Sequence, residues 1–157
     1  MLRGRDAGGS VLVLVPSGFL VLILLSALAV DSAVAYLAQQ RLHDALTAAA
    51  NDAVAAGLDN GTFYAGGALT LDPATVQRAV CQTIDAQRAS GLQQLKVAVA
   101  ISGLSIQVSG SATVSAVFGR ALPGFGHRSV RSTAGATLAA STSSAAARFG
   151  PPTVLRC

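Results

Sequence analysis

Between Val11 and Val30 the chain runs VLVLVPSGFLVLILLSALAV, twenty residues without a charge. At a rise of about 1.5 Å per residue, a helix of that length reaches about 30 Å, the hydrocarbon thickness of a bilayer. The run therefore predicts one transmembrane helix. Pro16, Ser17 and Gly18 fall in its first third, where a spanning helix tolerates a kink. Asp31 ends the run. A carboxylate at mid-bilayer costs about 2.5–3.5 kcal/mol on insertion scales, so Asp31 belongs at the interface and marks the membrane boundary.

The helical pattern continues through that charge. No Gly or Pro occurs between Asp31 and Gly57. On a wheel at 100° per residue, Ala38, Leu42, Ala45, Leu46, Ala49, Ala53 and Ala56 share an arc of about a third of a turn. Ser32, Tyr36, Gln39, Gln40, His43, Asp44, Thr47 and Asn51 take the other side. One helix from about Val11 to Ala56, about 70 Å long, is predicted. Its Ala-faced outer half is a packing surface against which another helix or a sheet can approach closely.

Asp59-Asn60-Gly61 signals a turn, and Phe63 to Leu71 a Gly-containing connector. Asn60-Gly61-Thr62 also matches a glycosylation sequon, a short pattern that chance supplies as readily. Asp72-Pro73 has the form of an N-cap followed by Pro at the first helical position. Val76, Val80, Thr83, Ile84 and Gln87 then form a narrow stripe, with Cys81 at its flank. Period two follows: Leu95, Val97, Val99 and Ile101 alternate with Lys96, Ala98, Ala100 and Ser102, as a half-buried strand does. Ser102-Gly103 is a hairpin signal. Leu104, Ile106 and Val108 continue the alternation, and Val130, Ala134, Ala136 and Leu138 indicate a third strand. Val114 to Leu122 reads either as an extension of the second strand or as a short helical connector. The sum is an α+β fold: a long N-terminal helix, a second helix and an antiparallel three-stranded meander packed on the long helix. Residues 1–10 form a cytoplasmic N-terminus, 11–30 the span and 31–140 an extracytoplasmic domain. Residues 141–157, with STSSAAA and Pro151-Pro152, form a flexible tail.

Composition agrees with an envelope protein. Apolar residues make up 52% of the 157 and charged residues only 11%, well below the usual quarter for soluble domains. The formal charge is +4, and no Lys/Arg cluster offers the phosphate contacts that nucleic-acid binding needs. Arg3 and Arg5 precede the apolar run, and Arg41 is the next basic residue after it. That bias places the N-terminus in the cytoplasm and the rest outside. Cys81 and Cys157 lack CxxC spacing, and only two His could join them, so no metal site is expected. In an oxidising compartment a Cys81–Cys157 disulfide would contribute about 4 kcal/mol; two unpaired thiols are the other reading.

Catalytic constellations are missing. His43 lies on the polar helix face beside Asp44, and His127 in a Gly-rich loop beside Arg128. Neither has a nucleophile nearby in sequence. Asp44 and Asp52 stand about 80° apart on the wheel and make no acid/base pair. There is no nucleophile elbow, HExxH, Walker A loop or GxGxxG. No enzyme activity, cofactor, small-molecule substrate or nucleic-acid partner is expected.

The stretch GGSVLVLVPSGFLVLILLSALAVDSAVAYLAQQRLHDALTAAANDAVAAG resembles the N-terminal region of the TadE/TadG-like proteins of Flp (tight adherence) pilus assembly. Gly8 or Gly9, Pro16, Asp31, Leu42 to Ala45 and Asn51-Asp52-Ala53 stand where that family has a Gly before an apolar span, an early Pro, a closing Asp, a Leu-x-x-Ala segment and an Asp-Ala-Ala run. The match covers about the first third of the chain. Processed pilins carry Glu five residues after the cleaved Gly, whereas Leu14 follows Gly9 at that spacing and the chain has no Glu. The resemblance thus fits the TadG-like members, which keep their anchor, better than the TadE-like ones. It implies a pilin-like, single-pass component of the pilus or a related secretion apparatus, with other assembly or envelope proteins and membrane lipid as partners. The alternative is a secreted, non-catalytic binding module. A basic start, an apolar stretch and Ala27-Leu28-Ala29 also suit signal-peptide cleavage after Ala29, although the run exceeds the usual apolar region of about 7–15 residues.

Overall fold

A single helix, α1, runs from Gly9 to Ala56 over 48 residues, with Pro16 inside it. The computed structural model describes residues 9–59, 61, 64, 66–67, 69–87, 92–121, 126–138, 149–155 and 157. At about 1.5 Å per residue, α1 is about 72 Å long. Its two halves lead different lives. From Leu14 to Leu28 every large apolar side chain is more than half exposed. A cylinder about 10 Å wide and about 25 Å long carries roughly 800 Å² of apolar surface, beyond the few hundred that a soluble monomer exposes. By length and composition, this is a helix able to cross a membrane. The hydroxyls within it are satisfied locally, Ser17 Oγ donating to the Leu14 carbonyl and Ser26 Oγ to that of Leu22.

Beyond Asp31 the same helix becomes the spine of a domain. Ala38, Leu42, Ala45, Leu46, Ala49 and Ala53 are buried, and so are Ala50 and Val54. Ala56, on the predicted arc, is exposed. The buried face is wider than that arc because two different elements cover it, a sheet and a second helix. That helix, α2, spans Pro73–Ala86 and buries Val76, Val80 and Ile84. Asp72 caps it as its side chain accepts from the N–H groups of Ala74 and Thr75 at 3.3 and 3.0 Å. The connector from α1 is pinned by a Leu58–Leu71 bridge and by Asp72 N–H donating to the Gly57 carbonyl. The sequon residues Asn60 and Thr62, Phe63 and the STSSAAA stretch lie outside the described residues.

Four strands follow: β1 (Gln93–Ser102), β2 (Ser105–Ser115), β3 (His127–Thr137) and β4 (Thr153–Leu155). They form one antiparallel sheet in the order β3-β2-β1-β4. The fold is α+β. The expected three-stranded meander is corrected to four strands, and the tail expected to be flexible contains a paired segment. Val97, Ala98 and Val99 of β1 face Leu155, Val154 and Thr153 of β4. A three-residue strand is too short to carry a period of two, so only its long-range partner reveals it. Gly103 and Leu104 join β1 to β2, with Gly103 at φ +58°, the conformation a two-residue hairpin favours at its first position. From Ile106 onward β2 alternates, Ile106, Val108, Gly110, Ala112 and Val114 facing in. Both readings of Val114 to Leu122 apply: β2 extends to Ser115, and a 3-10 turn spans Gly119–Ala121. His127 opens β3 opposite Ser115, instead of lying in a loop.

Gly110 lets sheet and helix close on one another. A Cβ there would sit 3.1 Å from both terminal methyls of Leu46 and 3.3 Å from one of Leu42. Close-packed interiors leave no slack for more.

Candidate functional site at the helix–loop junction

Asp31 directly follows the last residue of the charge-free run. Its carboxylate accepts three backbone hydrogen bonds from the turn after β2. Oδ1 takes the N–H groups of Val117 at 2.8 Å and Phe118 at 3.0 Å, and Oδ2 takes that of Gly119 at 2.8 Å. These donors enter the 3-10 turn Gly119–Ala121, where N–H groups have no carbonyl partner of their own. A side chain of α1 therefore caps a turn more than eighty residues further along the chain.

The electrostatics follow from that contact. The Phe118 N–H, then those of Gly119 and Val117, and the nearby Arg128 charge hold the Asp31 carboxyl below its ordinary value of 3.8. Partial desolvation pushes the other way and loses. Asp31 thus does more than end the apolar run. It fastens the domain to the helix at the level where the apolar run ends.

Around this knot lies a mixed rim. Val117 and Phe118 are 56% and 51% exposed. Arg120, two residues further on, and Arg128, opposite Val114 in the β2–β3 ladder, are also exposed. Between α1 and the sheet a groove of about 360 Å³ opens, lined by Val34, Leu37, Ala38, Arg41, Val114 and Arg120 among others.

The other residues singled out from sequence lie elsewhere. Ala38, Leu42, Ala45, Leu46, Ala49 and Ala53 pack inside the chain's own domain, in one apolar cluster with Val76, Val80, Ile106 and Val108. Cys81 on α2 and Cys157 after β4 are joined as a disulfide, with Cα atoms 5.1 Å apart. His43 Nδ1 lies 3.0 Å from Ser132 Oγ of β3 at the open surface, a contact that ties β3 to α1. His127 is exposed at the start of β3, and Asp52 accepts from Thr83 Oγ1 at 3.0 Å, linking α1 to α2. Among the described residues no three His, Cys, Asp or Glu side chains gather as a metal site. Sequence reasoning missed the whole rim at 117–120. Its one local signal is a pair of large apolar residues ahead of Gly119-Arg120, at a point where strand alternation lapses.

No protein-family model, curated protein or solved structure matches the chain. What the junction can do is mechanical: it joins an exposed apolar rod to a folded body and fixes their relative position.

Proposed function

We propose that this protein is a single-pass envelope protein, with its N-terminus in the cytoplasm and its α+β domain outside. On this reading it serves Flp pilus assembly or a related secretion apparatus as a TadG-like, pilin-like component. One observation carries the proposal: α1 is continuous from its bare apolar half into the core of the domain. Such a rod gives the domain a fixed stance on the membrane, and the protein acts by helix packing and protein–protein contact. Small residues in the exposed half, among them Ser17, Gly18, Ala27 and Ala29, suit lateral packing with other spanning helices. The Ala face beyond Asp31 is occupied by the sheet and α2, so contacts outside the bilayer fall on other surfaces.

A second reading has its own support. The knot at Asp31 leaves the domain's contacts downstream of Ala29 whole, so cleavage there would release an intact binding module. Membrane extraction and N-terminal sequencing separate the two. The anchored form resists alkaline extraction, keeps its N-terminus, and has a domain open to protease added outside the cell. Recovery from the culture fluid as a chain beginning at Val30 would overturn it. The apparatus is tested by deleting the gene: surface fibres or secretion are lost, and are restored by the full chain but not by an exported chain starting at Val30.

A further inference from the structure

Val117 and Phe118 present apolar side chains to solvent just past β2, a strand that turns its large apolar residues inward. Their N–H groups, at 2.8 and 3.0 Å, and that of Gly119, at 2.8 Å, hold this turn to Asp31. Two side chains exposed singly would need no explanation. Their place does, because they are bonded to Asp31, the residue that closes the charge-free stretch of a helix able to span a bilayer.

We propose that Val117 and Phe118 are an interfacial foot by which the domain rests on the surface of an anionic bilayer. The foot is seated by Asp31 and flanked by Arg120 and Arg128. This rests on the reading of α1 as a membrane span. Three further observations converge on it. Arg120 and Arg128 are exposed, and cationic side chains at this level are drawn to anionic lipid. The Asp31 charge that would oppose them is already met by three N–H groups. Tyr36, 69% exposed, lies five residues past Asp31. That is about 7.5 Å along the axis, within the headgroup layer where aromatic rings collect. Helix, foot and ring thus touch the interface at separate points. A rod held at one point can tilt, whereas one with a lateral foot has its tilt and rotation restrained.

The chain contains no Trp, so a single introduced Trp reports its own depth. Full-length chains carrying Phe118→Trp, Leu22→Trp or Tyr64→Trp would be reconstituted in phosphatidylcholine vesicles, with and without an equal part of phosphatidylglycerol. Brominated lipids then quench Trp emission according to depth. The Phe118→Trp probe is expected to show blue-shifted emission, quenched most by bromines near the headgroups and more strongly with phosphatidylglycerol present. The Leu22→Trp probe is quenched most by deep bromines, and the Tyr64→Trp probe emits as in water. Adding Asp31→Ala to Phe118→Trp abolishes the shallow quenching, while the same change leaves Leu22→Trp quenched. If Leu22→Trp is quenched and Phe118→Trp is not, the foot is overturned and the anchor stands. If Leu22→Trp is not quenched either, the anchor fails and takes the foot with it. A Phe118→Trp signal indifferent to Asp31→Ala overturns the seating role of Asp31.

Discussion

Asp31 shows how much one carboxylate can settle when it sits where two environments meet. Its position ends the apolar run, and its oxygens organise a turn that would otherwise expose three N–H groups. Because its carboxyl is held below 3.8 in the folded protein, the stability it gives is present above that value. It is lost as pH falls through the lowered folded one. Asp72, held down first by its Thr75 hydrogen bonds, behaves alike. The urea midpoint of the wild type should therefore fall as pH drops below 3.8. Asp31→Asn should be less stable at neutral pH and show a shallower acid slope, Asp72 accounting for what remains. Gly110 works at the same scale through size alone. Gly110→Val forces its methyls against Leu42 and Leu46 and should cost about 1–3 kcal/mol, read as a lower urea midpoint at unchanged slope. That Asp31 closes the apolar run was legible because its neighbours in sequence define it. Its capping role was not, because its partners lie 86 to 88 residues away and no local rule connects them.

At the scale of elements, legibility followed periodicity. α1, α2 and the three long strands each repeat a pattern often enough to declare themselves, and the Asp72-Pro73 start of α2 carries its own capping chemistry. What failed was short or dependent on two neighbours at once. Ala50 and Val54 are buried only because α1 is clasped from two directions, and β4 exists because β1 offers it an edge. The disulfide closes the same corner, Leu155 and Cys157 lying beside Ile84 and Asp85 of α2. Replacing both Cys81 and Cys157 with Ser should cost about 2–5 kcal/mol, measured by urea unfolding. β4 should detach first, seen as lost hydrogen-exchange protection along the outer edge of β1 before the β2–β3 ladder is affected.

For the whole molecule, the absence of a break between the exposed and buried halves of α1 means that the body has one azimuth relative to the rod. Inserting one Ala between Ala29 and Val30 turns the domain by about 100° and lifts it by about 1.5 Å. Its folding should be unaffected, since the contacts from Asp31 onward travel with it. On the proposed reading, assembly through a defined face should fail with one added residue and largely recover with four, about 40° from the original facing, scored by complementation of a deletion strain. The covalent stitch has a different consequence, one of load. Tension applied between the N-terminus and Cys157 passes through Cys81 and α2, bypassing a loop with a sequence separation of 76. In a single-molecule pulling experiment the oxidised protein should therefore withhold about 260 Å of contour length, released only when reductant is added.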